Sequence, residues 1–249
     1  MKTFRVSFLA GLVLLLLISV PAQAALQVDY RLDGGSLTPI ALTPAFILPG
    51  STAAGTYGLV LGGVLAIEGR ASSNPPGGSI AKVLASTNDI LNLTGTGHRL
   101  ELFIGDTDYT APAAPPFPGI TINSHIGGSV SVASAANTMA FSSCADTLNG
   151  QNTCGPIVPA TITTAGPGSP VITSGSFNDD QVTKMSVLGT PYSISQYVDL
   201  YLGSHAEINF SNNTTLTPIP EPISIALLGG VLVFTSGLIR RRAKGGPAA

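Results

Sequence analysis

Tyr192-Ser-Ile-Ser-Gln-Tyr-Val-Asp-Leu-Tyr-Leu-Gly-Ser-His-Ala-Glu-Ile-Asn-Phe210 is the stretch that decides the fold class. In an extended chain Ile194, Gln196, Val198, Leu200 and Leu202 fall on one side, and Ser195, Tyr197, Asp199 and Tyr201 on the other. A period of two with one apolar side is the mark of a strand lying on a core. After Gly203-Ser204 the alternation resumes, with Ala206, Ile208 and Phe210 set against His205, Glu207 and Asn209. Two such runs joined by a Gly-led pair of turn residues predict a β-hairpin over 192–209.

Working outward, the same alternation recurs. Leu26, Val28, Tyr30 and Leu32 alternate with Gln27, Asp29, Arg31 and Asp33 before Gly34-Gly35, and Leu100, Leu102 and Ile104 alternate with Glu101 and Phe103. Shorter strands are expected at 59–67, 120–123, 130–133, 139–142, 157–164 and 183–188, and only Ser79–Asp89 passes for a short helix. Turn-rich breaks fall at 74–78, 111–119, 155 and 166–170. No repeat of constant period is present, which disfavours a solenoid or a propeller. The expectation is an all-β chain, an antiparallel β-sandwich of jelly-roll or immunoglobulin-like kind over 25–213. A Thr/Pro-rich stalk is expected at 214–219.

Both ends read as export machinery. Lys2 and Arg5 precede an apolar stretch, Val6 to Val20, and Pro21 leads into Ala22-Gln23-Ala24. That is a secretory signal peptide, residues 1–24, cut between Ala24 and Ala25. At the other end Pro220-Glu221-Pro222 precedes an uncharged run from Ile223 to Ile239, followed by Arg240, Arg241 and Arg242. A 17-residue helix is roughly 25 Å long, enough to cross a hydrocarbon core. The glycines at 229, 230 and 237 suit a membrane helix better than a soluble one. A buried core helix is the competing reading, and three consecutive arginines closing the run count against it. By the positive-inside rule the arginines remain cytoplasmic and the body lies across the membrane. The prolines confine Glu221 to a stiff, extended tripeptide at the membrane surface.

The tripeptide, the apolar span and the terminal arginines, in that order, resemble the PEP-CTERM sorting signal of Gram-negative bacteria, over residues 220–244 with 245–249 as a tail. The resemblance implies an exosortase as partner and transient residence in the inner membrane through 223–239. Delivery to the cell surface or extracellular polymer would follow. It makes Pro220, Glu221 and Pro222 the recognition motif and Arg240–Arg242 the basic stop. Leu100–Pro112 and Tyr192–Asn209 also resemble a type of body recurrent among PEP-CTERM proteins.

Charge separates the body from its ends. The whole chain has a net charge of −2, but residues 25–217 hold five basic and twelve acidic side chains, a net charge of −7. An acidic body with scattered cations argues against nucleic acid, or an anionic membrane surface, as its partner.

Cys144 and Cys154 are the two cysteines. In an exported protein an isolated pair is most simply a disulfide, and closing residues 145–153 would contribute roughly 3 kcal/mol. The spacing is not the CxxC of a redox pair, and the loop offers no histidine for a metal. The chain has no Gly-x-Ser-x-Gly, His-Glu-x-x-His, Gly-Lys-Ser/Thr or Gly-x-Gly-x-x-Gly motif, and His98, His125 and His205 are far apart in sequence. Asp106 and Asp108 are the one metal candidate, a calcium site if Asp89 or Asp179-Asp180 adds oxygens. Against it stands the ordinary role of Asp in closing a turn. Tyr30, Tyr109, Tyr197 and Tyr201 offer either a sugar-stacking platform or cross-strand packing. The reading that follows is a non-enzymatic exported protein with a structural or interaction role in exopolysaccharide, biofilm or envelope. It has no cofactor unless calcium binds. A carbohydrate-binding module acting on the exopolysaccharide is the alternative, and a secreted hydrolase of unrecognised type comes third.

Overall fold

In the computed structural model the described residues are 26–219, apart from 48, 113–118, 135, 152–153, 155–161, 166–174 and 186–187. The signal peptide, Pro220-Glu221-Pro222, the 223–239 span and Arg240–Arg242 lie outside them. Among the described residues no helix is long and apolar enough to cross a membrane. Their strands are β1 (Gln27–Leu32), β2 (Thr38–Ile40), β3 (Thr43–Pro44), β4 (Ala53–Leu61), β5 (Leu65–Ser73), β6 (Ala81–Asn92) and β7 (His98–Tyr109). Then follow β8 (Ile120–Val132), β9 (Thr138–Asp146), β10 (Ile162–Ala165), β11 (Gly175–Met185), β12 (Tyr192–Leu202) and β13 (Glu207–Pro218).

These strands make two antiparallel sheets, a β-sandwich. The first has the order β10-β9-β12-β7-β1-β2 and the second β11-β8-β13-β6-β5-β4-β3. From β6 onward the chain changes sheet at every step except β9 to β10, which is the strand order of a jelly roll rather than of an immunoglobulin domain. β1 and β2 widen one sheet, and β3 to β5 the other. The apolar positions foreseen in β7 and β12, such as Leu102, Ile104, Val198 and Leu200, meet Ile90, Ile122, Ile208 and Phe210 from the facing sheet, all buried.

The expected hairpin over 192–209 is the principal correction. β12 pairs with β7 and β9, whereas β13 pairs with β6 and β8. The chain between them crosses from one sheet to the other. The Ala206 N–H bonds to the Gly203 carbonyl at 3.2 Å, and His205 sits at φ +53°. Side chains anchor the crossing: Asn92 Nδ2 donates to the carbonyls of Leu202 (3.2 Å) and Gly203 (2.8 Å), and the Gly203 N–H donates to Asn137 Oδ1 (2.9 Å). Alternation shows which side of a strand is apolar but not which strand lies beside it. Here the two apolar sides face each other across the core.

Ser79–Asp89 is not helix: β6 begins at Ala81 and runs through Asp89 to Asn92. Ala81, Val83 and Ala85 point inward, then Asn88, Ile90 and Asn92 do, so the inward side switches from odd to even positions. The register with both neighbours shifts at that point, opposite Gly69 and Ser211. A bulge in β6 re-aims its side chains and breaks the period that would have revealed a strand. The 59–67 segment is likewise two strands, β4 and β5, turned at Gly62 and Gly63 with φ of +54° and +75°. The stalk is also absent: β13 continues through Pro218 with Thr214 and Leu216 wholly buried. Their alternation, masked by a Thr/Pro-rich composition, keeps the sandwich going five residues beyond 213.

A buried polar chain crosses the core. Gln196 Nε2 donates to the Val83 carbonyl (3.0 Å) and to Thr214 Oγ1 (2.9 Å), and its Oε1 accepts from Asn212 Nδ2 (2.9 Å). Asn88 Nδ2 donates to Asn212 Oδ1 (3.3 Å), and the Tyr57 hydroxyl donates to Asn88 Oδ1. A Cβ on Gly69 would stand 2.6 Å from Asn88 Oδ1 and 2.7 Å from the Tyr57 oxygen, so the pair needs glycine there.

Candidate functional site

Part of the outer side of the first sheet is covered. Cys144 and Cys154 are disulfide-bonded, with Cα atoms 5.8 Å apart. With Phe103 and Tyr197 they form a small apolar cluster separate from the main core. The Phe103 and Tyr197 rings are 5.0 Å apart, and the Tyr197 hydroxyl donates to Glu101 Oε1 at 2.7 Å. Arg31 Nη1 meets Glu101 Oε2 at 3.1 Å, and its guanidinium lies 5.8 Å above the Phe103 ring. Arg99 grips Asp199 through two bonds of 2.8 and 2.6 Å. Burial, then the Glu101 hydrogen bond and nearby carboxylates, push the Tyr197 hydroxyl far above the usual phenol range.

That packing removes the sugar-stacking platform. Tyr197 is 4 % exposed, and Tyr109 is fully enclosed, stacked on Tyr192 at 5.5 Å with its hydroxyl donating to the Lys82 carbonyl at 2.7 Å. Tyr30 is half-buried and only Tyr201 of the four is exposed. Tyr197 thus takes the packing alternative, which alternation alone cannot separate from a platform because it is blind to a loop folded over that side.

Asp106 and Asp108 are occupied by their own chain. Asp106 is wholly buried; it accepts from the Ser73 hydroxyl and from the Thr107 N–H at 2.7 Å. Asp108, at φ +65°, accepts from Asn149 Nδ2 at 2.7 Å and from Thr107 Oγ1 at 3.1 Å. Asp89 and Asp179-Asp180 lie in the other sheet. Among the described residues no group of three His, Cys, Asp or Glu converges enough to hold a metal ion. The calcium constellation drawn from the sequence is therefore not assembled.

Burial raises the Asp106 carboxyl to about 6, against the lowering effect of Ser73 and Thr107 and with some help from the Asp108 charge. Because the folded value lies above the unfolded one, this group favours the fold fully below about pH 4. That contribution is lost as pH rises through 6, on the order of 2–3 kcal/mol in all. Asp106→Asn is expected to make denaturation midpoints nearly flat between pH 4 and 7. A variant keeping the parent's slope in that range would remove Asp106 as its source.

One arrangement has no counterpart in the sequence reading. His98 Nδ1 lies 2.8 Å from Asp33 Oδ2, and its Nε2 lies 2.9 Å from Thr94 Oγ1 and 3.2 Å from Thr96 Oγ1. This is the acid–imidazole–hydroxyl order of a nucleophilic site. Its surroundings are those of a turn clamp. Asp33 is half exposed and also accepts the Arg99 N–H at 2.8 Å, while Thr94 Oγ1 faces Asn92 Oδ1 (2.9 Å) and the Thr96 carbonyl (3.1 Å). Burial tends to raise the Asp33 carboxyl, but the Arg99 and His98 hydrogen bonds and the His98 charge hold it below the usual range. Asp33 and His98 are 65 positions apart, so spacing gave no signal.

An accessible hollow lies on the outer side of the second sheet. Gly58 and Ala66 leave a groove of about 470 Å³ between Val60 and Leu91, rimmed by Glu68, Asp89 and Glu207. Glu68 stands directly opposite Asp89 in the β5–β6 ladder. Asp89 Oδ1 is enclosed with no hydrogen-bond partner, and among the described residues no cation pairs with any of the three carboxylates.

No family model and no curated protein matches this chain. Among solved structures, that of TmCBM61 in complex with beta-1,4-galactotriose is similar at 8 % identity, over 58 % of this chain and 85 % of that one, with a TM-score of 0.31. The structure of infectious bursal disease virus Gt strain is similar at 10 % identity, over 84 % and 55 %, with a TM-score of 0.12. Neither superposition is close enough to bear on what this chain binds.

Proposed function

We propose that this chain is an exported β-sandwich sorted by an exosortase through a C-terminal PEP-CTERM signal, with a structural or interaction role at the cell surface or in extracellular polymer. The observation that carries this reading is the order Pro220-Glu221-Pro222, uncharged run, Arg240–Arg242, set immediately after the last strand. The sandwich supplies a pre-folded, disulfide-bonded body suited to export. Its clusters around Asp106, Asp108 and His98 are spent on its own turns and ladders. Glu221→Ala combined with deletion of Arg240–Arg242 is expected to abolish surface delivery and leave the protein in the inner membrane or degraded. Unchanged delivery would remove the sorting signal from this account.

A second reading, polysaccharide binding, is favoured by the groove of Glu68, Asp89 and Glu207. Three unpaired carboxylates are acceptors for hydroxyl donors, and Asp89 Oδ1 has none in the fold. Asp89→Asn with Glu207→Gln is expected to lower retention on purified exopolysaccharide at least tenfold, the effect of about 1.4 kcal/mol. Equal retention of parent and variant would assign binding elsewhere.

A further inference from the structure

We infer that the end of the sandwich bearing Phe46, Ile47 and Ile80 rests in the lipid headgroup layer, with the tail holding it there. The inference builds on the membrane reading of residues 223–239 and adds to it a contact made by the folded body. Ile219 follows the end of β13, and the uncharged run begins at Ile223. Four residues span at most about 14 Å. A body so closely tethered must turn the exit end of β13 toward the bilayer.

The register identifies what stands at that end. Leu216 pairs with Ala81 and Thr215 with Lys82; Ser73 pairs with Val83, and Ala53, the first residue of β4, with Ser73. The chain entering β4 and the chain entering β6 are thus at the exit end. Each carries exposed apolar side chains: Phe46 is 79 % exposed, Ile47 49 % and Ile80 44 %. Apolar side chains left in water on loops one short tether from a bilayer are placed to enter its interface, where burial of about 5–10 Å is typical.

Within the second sheet the basic residues follow the same axis, whereas in the facing sheet Asp106, bonded to Ser73, and Asp108 also stand at the exit end. Arg70 donates to the Phe46 carbonyl, Lys82 lies in the ladder beside Thr215, and Lys184 pairs with Thr121, which pairs with Thr217 near the exit. Three of the five basic residues of the body are thereby gathered toward this end. None forms an ion pair among the described residues. Glu68, Asp89 and Glu207 lie toward the opposite end, in the rows of Gly58, Asn209 and Leu91. The net charge of −7 opposes free adsorption to anionic lipid, so the contact rests on the tether and the exposed apolar side chains.

The chain contains no tryptophan, so single-Trp variants report one position each. Full-length Phe46→Trp, Val60→Trp and Phe234→Trp are reconstituted into vesicles of phosphatidylethanolamine and phosphatidylglycerol, with and without brominated acyl chains. Phe46 and Val60 are exposed, so neither change disturbs the core. The Phe46→Trp emission should fall by about half in brominated lipid, as for a side chain at the headgroup–acyl boundary. Phe234→Trp should fall further, and Val60→Trp, at the far end of β4, should not change. Quenching of Phe234→Trp without quenching of Phe46→Trp overturns the proposal while leaving the span intact. So does equal quenching of Phe46→Trp and Val60→Trp. Quenching of Phe46→Trp without Phe234→Trp keeps the lipid contact and removes the span, and the absence of both removes the two together.

Discussion

Gln196→Leu is expected to destabilise the sandwich by about 3–5 kcal/mol, from 1–3 kcal/mol for each buried partner left without a bond. Sequence pattern alone would rank this change as favourable, since Gln196 occupies the apolar side of β12 between Ile194 and Val198. In the structure it is fully buried, and it bridges the two sheets through Val83, Thr214 and Asn212. Leucine fills most of the volume but leaves Thr214 Oγ1 and Asn212 Nδ2 facing hydrocarbon. Asn212→Leu in the same background should cost less than it does alone, because its partner has already gone. Chemical denaturation of the four proteins of that cycle supplies the check. A loss below about 1 kcal/mol for the single variant would mean that the bridge contributes little.

The second large effect concerns the disulfide. Cys144→Ser together with Cys154→Ser is expected to cost about 3 kcal/mol through the entropy of the opened loop. For a body of this size that lowers Tm by roughly 6–12 °C. The loop keeps other ties, including the Leu148 N–H to Asp146 Oδ1 at 2.8 Å, Asn149 Nδ2 to Asp108 Oδ1 at 2.7 Å and Gln151 Nε2 to the Gly105 carbonyl at 3.2 Å. These hold residues 148–151. The pair at Cys154 covers Phe103 and Tyr197, so opening it should also expose those rings and lower the phenol titration of Tyr197 toward the ordinary range. Thermal unfolding of the parent with reductant should reproduce the variant. An unchanged Tm in both would show that the side-chain ties alone close the loop.

Composition and alternation make strands such as β1, β7 and β12 legible because each lies on a core with apolar side chains at alternate positions. The same information could not assign neighbours. β12 and β13 have ideal hairpin patterning, yet they belong to opposite sheets, since Asn92 and Asn137 fix the crossing from positions remote in sequence. β6 was hidden by a bulge that moves its inward side from Ala85 to Asn88, and the end of β13 by a run of threonines. At the candidate sites the two cysteines were readable because no other pairing exists. The tyrosines and Asp106 were not, because their environments come from β5, β6 and the disulfide loop. The Asp33–His98–Thr94 contact exists only once β1 lies beside β7, and the carboxylate groove only once β4, β5, β6 and β13 are side by side.

The central claim concerns the tail, and intact mass with localisation of the protein, in cells with and without exosortase, tests it most directly. With the enzyme, the account predicts a surface or extracellular product that begins at Ala25 and lacks Arg240–Arg242. Without it, the protein should stay in the inner membrane with those arginines attached. The same mass in the same place in both strains would contradict the account.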